Sequence, residues 1–155
     1  MELDLHSRLA HMWSSLPPEW DIVLLGHCWS PEDTNPPIYT SGRNSLHPSF
    51  APKCTHAYAV SKSGASRLVR HLRTSSTSAG PGFAYGRALD QAFARLIRGR
   101  RIRAFSIVPS VVVQTKDTPS DIMGGNGSTW RSGLVDSALA KTGLGVDVTS
   151  TVAQA

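Results

Sequence analysis

CTHAYAVSKSGASRL, residues 54–68, changes character in its middle. Residues 54–61 read as a strand; then Ala65, Leu68, Val69 and Leu72 recur on one face of a helix from about Ser63 to Arg73. Ser61 or Ser63 can supply its cap. In open α/β sheets, ligands collect at the carboxyl ends of strands, so this junction is a candidate wall of a site. His56 and Tyr58, just ahead of the switch, are the candidate binding residues. The same pattern also fits Tyr58 and Val60 as core and His56 as a hydrogen-bonded structural residue.

Upstream, Leu5, Leu9, Met12, Trp13 and Leu16 predict an amphipathic helix over 4–16, stopped by Pro17-Pro18. WDIVLLG, residues 20–26, reads as a buried strand. The segment from His27 to Pro52, rich in Ser, Pro and Asn, reads as one long loop of functional or mobile character. Downstream, TSSTSAGPG is a turn, and ALDQAFARLIRG is a second helix with Leu89, Phe93, Leu96 and Ile97 on one face and Gly99 as its stop. IRAFSIV, residues 102–108, alternates as a half-buried strand does, and Pro109 interrupts it before VVVQ. Beyond Gln114 the chain is polar and glycine-rich, and after Asp136 it reads as a weakly ordered tail. There is no internal repeat. The total is mixed α/β with few strands, too lean for a self-sufficient sheet.

A chain of 155 residues fits one domain and can bury a core. Only 17% of residues are charged, and 13 Gly with 10 Pro point to much loop. The net charge of +5 favours an anionic partner without choosing among nucleotide, phosphate, membrane surface and nucleic acid. Arg95, Arg98, Arg100, Arg101 and Arg103 lack the interleaved aromatics of a nucleic-acid platform and read as the solvated end of a helix, so no nucleic-acid partner is expected. No apolar run reaches the length of a membrane span. Glu2 and Asp4 stand where a signal peptide carries basic residues, so none is read, and the literal reading is a soluble cytosolic chain. Two cysteines make no disulfide framework; one bridge and two free thiols are both open. His27, Cys28, His47, Cys54 and His56 are five conceivable zinc ligands, but they lack the paired spacing of a structural zinc module, so no metal site is read.

WDIVLLGHC, a long variable loop, CTHAYAVSKSGASRLVRHL, ALDQAFARLI, IRAFSIVPSVVVQ and PSDI, in that order, resemble glycosyltransferase family 25, fungal-type members above all. That family includes lipopolysaccharide and procollagen galactosyltransferases, and the resemblance covers roughly residues 2–137. It implies a Rossmann-like nucleotide-sugar fold (A type), with a hexose, galactose foremost, transferred with inversion from a nucleotide sugar to a glycan or protein hydroxyl. It also implies Mn2+ held by a Glu-Asp-Asp motif, which this chain does not contain. The expectation is therefore a C-terminal half of such a domain over 1–135, lacking its N-terminal strands, with a tail over 136–155. Its activity alone is in doubt, the alternative being a non-catalytic remnant or a basic module for an anionic partner. A half-sheet of this kind would leave the WDIVLLG strand with an exposed edge or apolar face. Family members often work in the secretory lumen, which leaves localisation open.

The resemblance assigns roles residue by residue. His56 and Tyr58 border the donor or acceptor; read from the residues themselves, the turn at Gly26, His27 and Cys28 either brings backbone N–H groups to a ligand or simply ends the strand. Gln114, with Ser120 and Asp121, shapes the acceptor side or closes the fold. Asp90 is the candidate catalytic base, because inverting transfer needs a carboxylate to take the acceptor proton. An aspartate in a first helical turn is also expected simply for the macrodipole. Cys28 and Cys54 flank one loop that leaves and re-enters the sheet, so they are expected to lie near each other.

Overall fold

The computed structural model describes residues 5–28, 30–74 and 88–112. Gln114, Ser120, Asp121, the TSSTSAGPG turn beyond Thr74 and the expected tail lie outside the described residues. The elements are α1 (Leu5–Ser14), β1 (Ile22–Cys28), a short 3-10 turn (Glu32–Thr34), β2 (Tyr39–Ser41), β3 (Asn44–Pro48), β4 (Lys53–Val60), α2 (Lys62–Thr74), α3 (Leu89–Arg98) and β5 (Ala104–Val108). Both helices and the strand read around the 54–68 stretch and its partners fall within a few residues of expectation.

The strands form one five-stranded mixed sheet in the order β2-β3-β5-β1-β4. Only β1 and β5 run parallel, Ile22, Val23 and Leu24 facing Ala104, Phe105 and Ser106. β4 lies antiparallel to β1, and β3 antiparallel to both β5 and β2. The expected single loop over 27–52 is thus corrected: it contains a hairpin. Gly42, at φ +58°, is the first of two turn residues between the Ser41–Asn44 pair, the conformation a two-residue hairpin turn requires there.

The strand order also corrects the expectation of an exposed WDIVLLG strand, since β5 and β4 flank β1. β1 is interior, with strands on both sides, and its two faces are covered. Ile22 and Leu24 pack with Leu68, Phe93, Ile97, Ile102 and Ala104, beneath α2 and α3. Val23 packs with Met12, Leu46, Phe105 and Ile107, beneath α1. The protein is therefore a three-layer α/β structure, and the sheet is not too lean. No helix among the described residues is long and apolar enough to cross a membrane.

Buried polar groups hold the layers in register. Ser61 caps α2: its Oγ accepts from the Gly64 N–H at 2.9 Å and donates to the Trp20 carbonyl at 2.7 Å. Gly64 is required, since a Cβ there would stand 2.2 Å from the Asp21 carbonyl oxygen. Asp21, fully buried, accepts from the Arg67 guanidinium at 3.0 Å and from the Arg103 N–H at 2.8 Å. On the other face Arg8 of α1 donates to the Asn44 side chain, which donates to the Pro109 carbonyl at 3.0 Å.

Glu32, 1% exposed, braces the segment before the hairpin to the segment after it. Its carboxylate accepts from the backbone N–H groups of Ala51 (2.8 Å) and Phe50 (3.1 Å) and from the Ser106 hydroxyl (2.6 Å). Three donors satisfy the oxygens, which is what a buried carboxylate needs.

Candidate functional site

The β1–β4 ladder is regular only at one end. Ile22, Val23 and Leu24 face Val60, Ala59 and Tyr58, but Gly26 then faces Ala57, and Cys28 faces Lys53. One residue, His27, lies between the last two pairs on β1, against Cys54, Thr55 and His56 on β4. The surplus arches β4 away from its partner, as bulges do where they re-aim side chains. Cys54 takes φ +56° in this arch, an uncommon conformation for a residue with a side chain.

The arch brings together what the sequence separates. Cys28 and Cys54 lie near each other, as expected from their places beside one loop, and of the two states left open they form a disulfide, with Cα atoms 5.6 Å apart. A ring nitrogen of His56 and both sulfur atoms lie within 4.8 Å of one another. Gly26 sits against the same arch: a Cβ there would approach the Val112 carbonyl oxygen to 2.2 Å and the His56 Cβ to 3.0 Å. Its missing side chain thus makes room for the chain's own backbone after β5, where Val111 and Val112 donate N–H bonds to the Leu25 carbonyl at 2.9 and 3.1 Å.

Asp90 joins this cluster from the first turn of α3. Its Oδ2 accepts from the Cys54 N–H at 3.1 Å and its Oδ1 from the Gln91 N–H at 2.7 Å. Lys53 Nζ donates to Gln91 Oε1 at 3.0 Å, so the helix start clasps the start of β4 twice. The carboxylate is half-buried and engaged by backbone at both oxygens. Tyr58, further along β4, sets its ring edge-on to Phe93 with centroids 5.3 Å apart and remains 39% exposed.

His27 lies elsewhere. It is buried, its Nε2–H donates to the Ile107 carbonyl at 3.1 Å, and its backbone exchanges hydrogen bonds with the Ser110 hydroxyl. The structure therefore groups Gly26, His56 and Asp90 near the carboxyl end of β1, together with the disulfide, leaves Tyr58 further back opposite Leu24, and turns the His27 ring into the β1–β5 junction. Gln114 is outside the described residues.

The donor set does not suit a hard cation such as Mn2+, which takes oxygen ligands. Among the described residues, Asp21, Glu32 and Asp90 are engaged as above, Glu19 pairs with Arg103, and Asp33 stands exposed on the 3-10 turn. The one cluster of metal-ligating groups among the described residues is Cys28, Cys54 and His56, a sulfur and nitrogen set. Glu32 and the Cys54–His56 arch carry no local sequence signal, because the partners of the first and the register of the second are set by distant residues. Comparison with family models, with curated proteins and with solved structures finds no match for the chain.

Proposed function

We propose that this domain belongs to a nucleotide-sugar glycosyltransferase of the family 25 type and forms the wall of the site that receives the donor or the acceptor hydroxyl. One observation carries the reading: Gly26, His56 and Asp90, drawn from three separate segments of the family-like order, gather around the Cys28–Cys54 bridge near the carboxyl end of a strand in the parallel β1–β5 pair. Ligands of open α/β sheets collect at such ends. In this reading His56 and Tyr58 contact the substrate, and Asp90 takes the acceptor proton. No described residue is assigned to Mn2+ in this reading, since their donor set does not suit that ion.

The test has two stages. A labelled nucleotide-diphosphate galactose is titrated into the chain, with His56→Ala as control; saturable binding that the variant weakens supports the reading. Equal competition by any polyanion, with no effect of His56→Ala, would favour a basic module acting through the exposed Arg95, Arg98, Arg100 and Arg101 instead. Transfer by the chain alone is expected to stay at blank level with or without Mn2+. In a version supplied with an acidic Glu-Asp-Asp segment, Asp90→Asn should lower transfer at least about a hundredfold if the carboxylate is the base.

A further inference from the structure

We propose that when the Cys28–Cys54 disulfide is reduced, the two thiolates and His56 form a three-ligand site for a borderline-soft divalent cation, zinc in first place. The inference does not depend on sugar transfer. It starts from the three groups whose ligand atoms lie within 4.8 Å of one another. Tetrahedral zinc with bonds of about 2.3 Å to sulfur and about 2.0 Å to imidazole nitrogen sets its ligands roughly 3.5–3.8 Å apart. The sulfurs must separate from their bond and the imidazole must close by about an ångström. Rotamer adjustment covers movements of that size.

The backbone that carries the ligands is held by contacts other than the S–S bond. Cys28 is in register with Lys53, the Cys54 N–H is fixed by Asp90, and His56 is backed by Gly26. Thiolates and imidazole select zinc over Mg2+, Ca2+ or Mn2+, and two thiolates neutralise its charge. Three protein ligands leave a fourth position for water or a substrate atom. Cys54 and His56 are only half-buried, which leaves a path for the ion.

The chemistry balances in two steps. A dithiol reductant attacks the disulfide, leaves as its own cyclic disulfide and yields two protein thiols. Zinc then displaces two protons as it binds the thiolates. An oxidised dithiol reverses the sequence: the protein disulfide reforms and the ion is expelled.

Cobalt(II) is the probe, because thiolate-to-cobalt charge transfer reports sulfur ligation directly. The full chain, reduced with a phosphine, should take up one Co2+ with a two-thiolate charge-transfer band that Zn2+ abolishes, whereas the oxidised chain should show none. His56→Ala should weaken the cobalt complex at least about tenfold while keeping the charge-transfer band. No one-to-one uptake by the reduced chain would overturn the proposal, and so would uptake indifferent to His56→Ala. Should the reduced chain lose its cooperative melt, Zn2+ must restore it; failure to do so also overturns the proposal. Cys28→Ser/Cys54→Ser, which keeps His56, should neither bind Co2+ nor gain melting temperature with Zn2+.

Discussion

Glu32 shows how much one side chain can hold when its partners come from far along the chain. Its carboxylate joins residues 50, 51 and 106 through three hydrogen bonds inside the fold. Glu32→Gln keeps the volume but turns an amide NH2 toward N–H and O–H donors, leaving buried polar groups without an acceptor. We expect a loss of about 2 kcal/mol, since each unsatisfied buried group costs about 1–3 kcal/mol. Urea unfolding should show a lower midpoint with an unchanged slope; an unchanged midpoint would mean that water replaces the carboxylate. Nothing in SPEDTNPP announces this role. Periodicity detects faces, and a lone buried acid has none.

At the scale of elements, legibility followed the length and apolar content of each segment. α2 and α3 were readable because Leu68, Leu72, Phe93 and Ile97 return on one face, and β1 because Ile22, Val23 and Leu24 are apolar toward both layers. The β2–β3 hairpin was not. Asn44, Ser45 and His47 are polar yet inward, made acceptable by the Arg8 side chain and the Pro109, Val108 and Asn35 carbonyls. Its one sequence signal is Gly42-Arg43, a two-residue turn beginning with glycine. The candidate site was half legible: the residue types were visible, but the arch that gathers Cys54 and His56 exists only once β4 is paired. Helix α2 offers a test in which propensity and packing disagree in sign. Gly64→Ala gains about 1 kcal/mol in helix propensity, while its Cβ would overlap the Asp21 backbone. Overpacking of that kind costs about 1–3 kcal/mol, and here the neighbour is backbone that cannot rotate away. We expect Gly64→Ala to melt lower than the parent and Ser66→Ala, on the exposed face of the same helix, to melt no lower. A stabilised Gly64→Ala would show that α2 can shift without penalty.

For the whole molecule, a covered sheet changes the forecast that a half-sheet would give. The oxidised chain should melt cooperatively and leave a hydrophobic dye dark, and dye binding in native buffer would contradict the burial of β1. Reducing the disulfide should remove about 3–4 kcal/mol, the loop-closure entropy of its 26-residue separation. The strand order has a further consequence, in time rather than in energy. β5 is last among the described strands in the chain but lies between β3 and β1. While the polypeptide leaves the ribosome, the β1–β4 and β2–β3 pairs can each form and the two cysteines can meet, but no strand yet pairs the two halves to each other. From Pro48 to Ala104 is a wait of roughly 3–11 s at about 5–20 residues per second. During that interval the sides of β1 and β3 that β5 will occupy stand open to any passing strand. A nascent chain stalled before residue 104 should therefore be the species that chaperones hold, and release should follow within a few residues of Val108 clearing the exit tunnel.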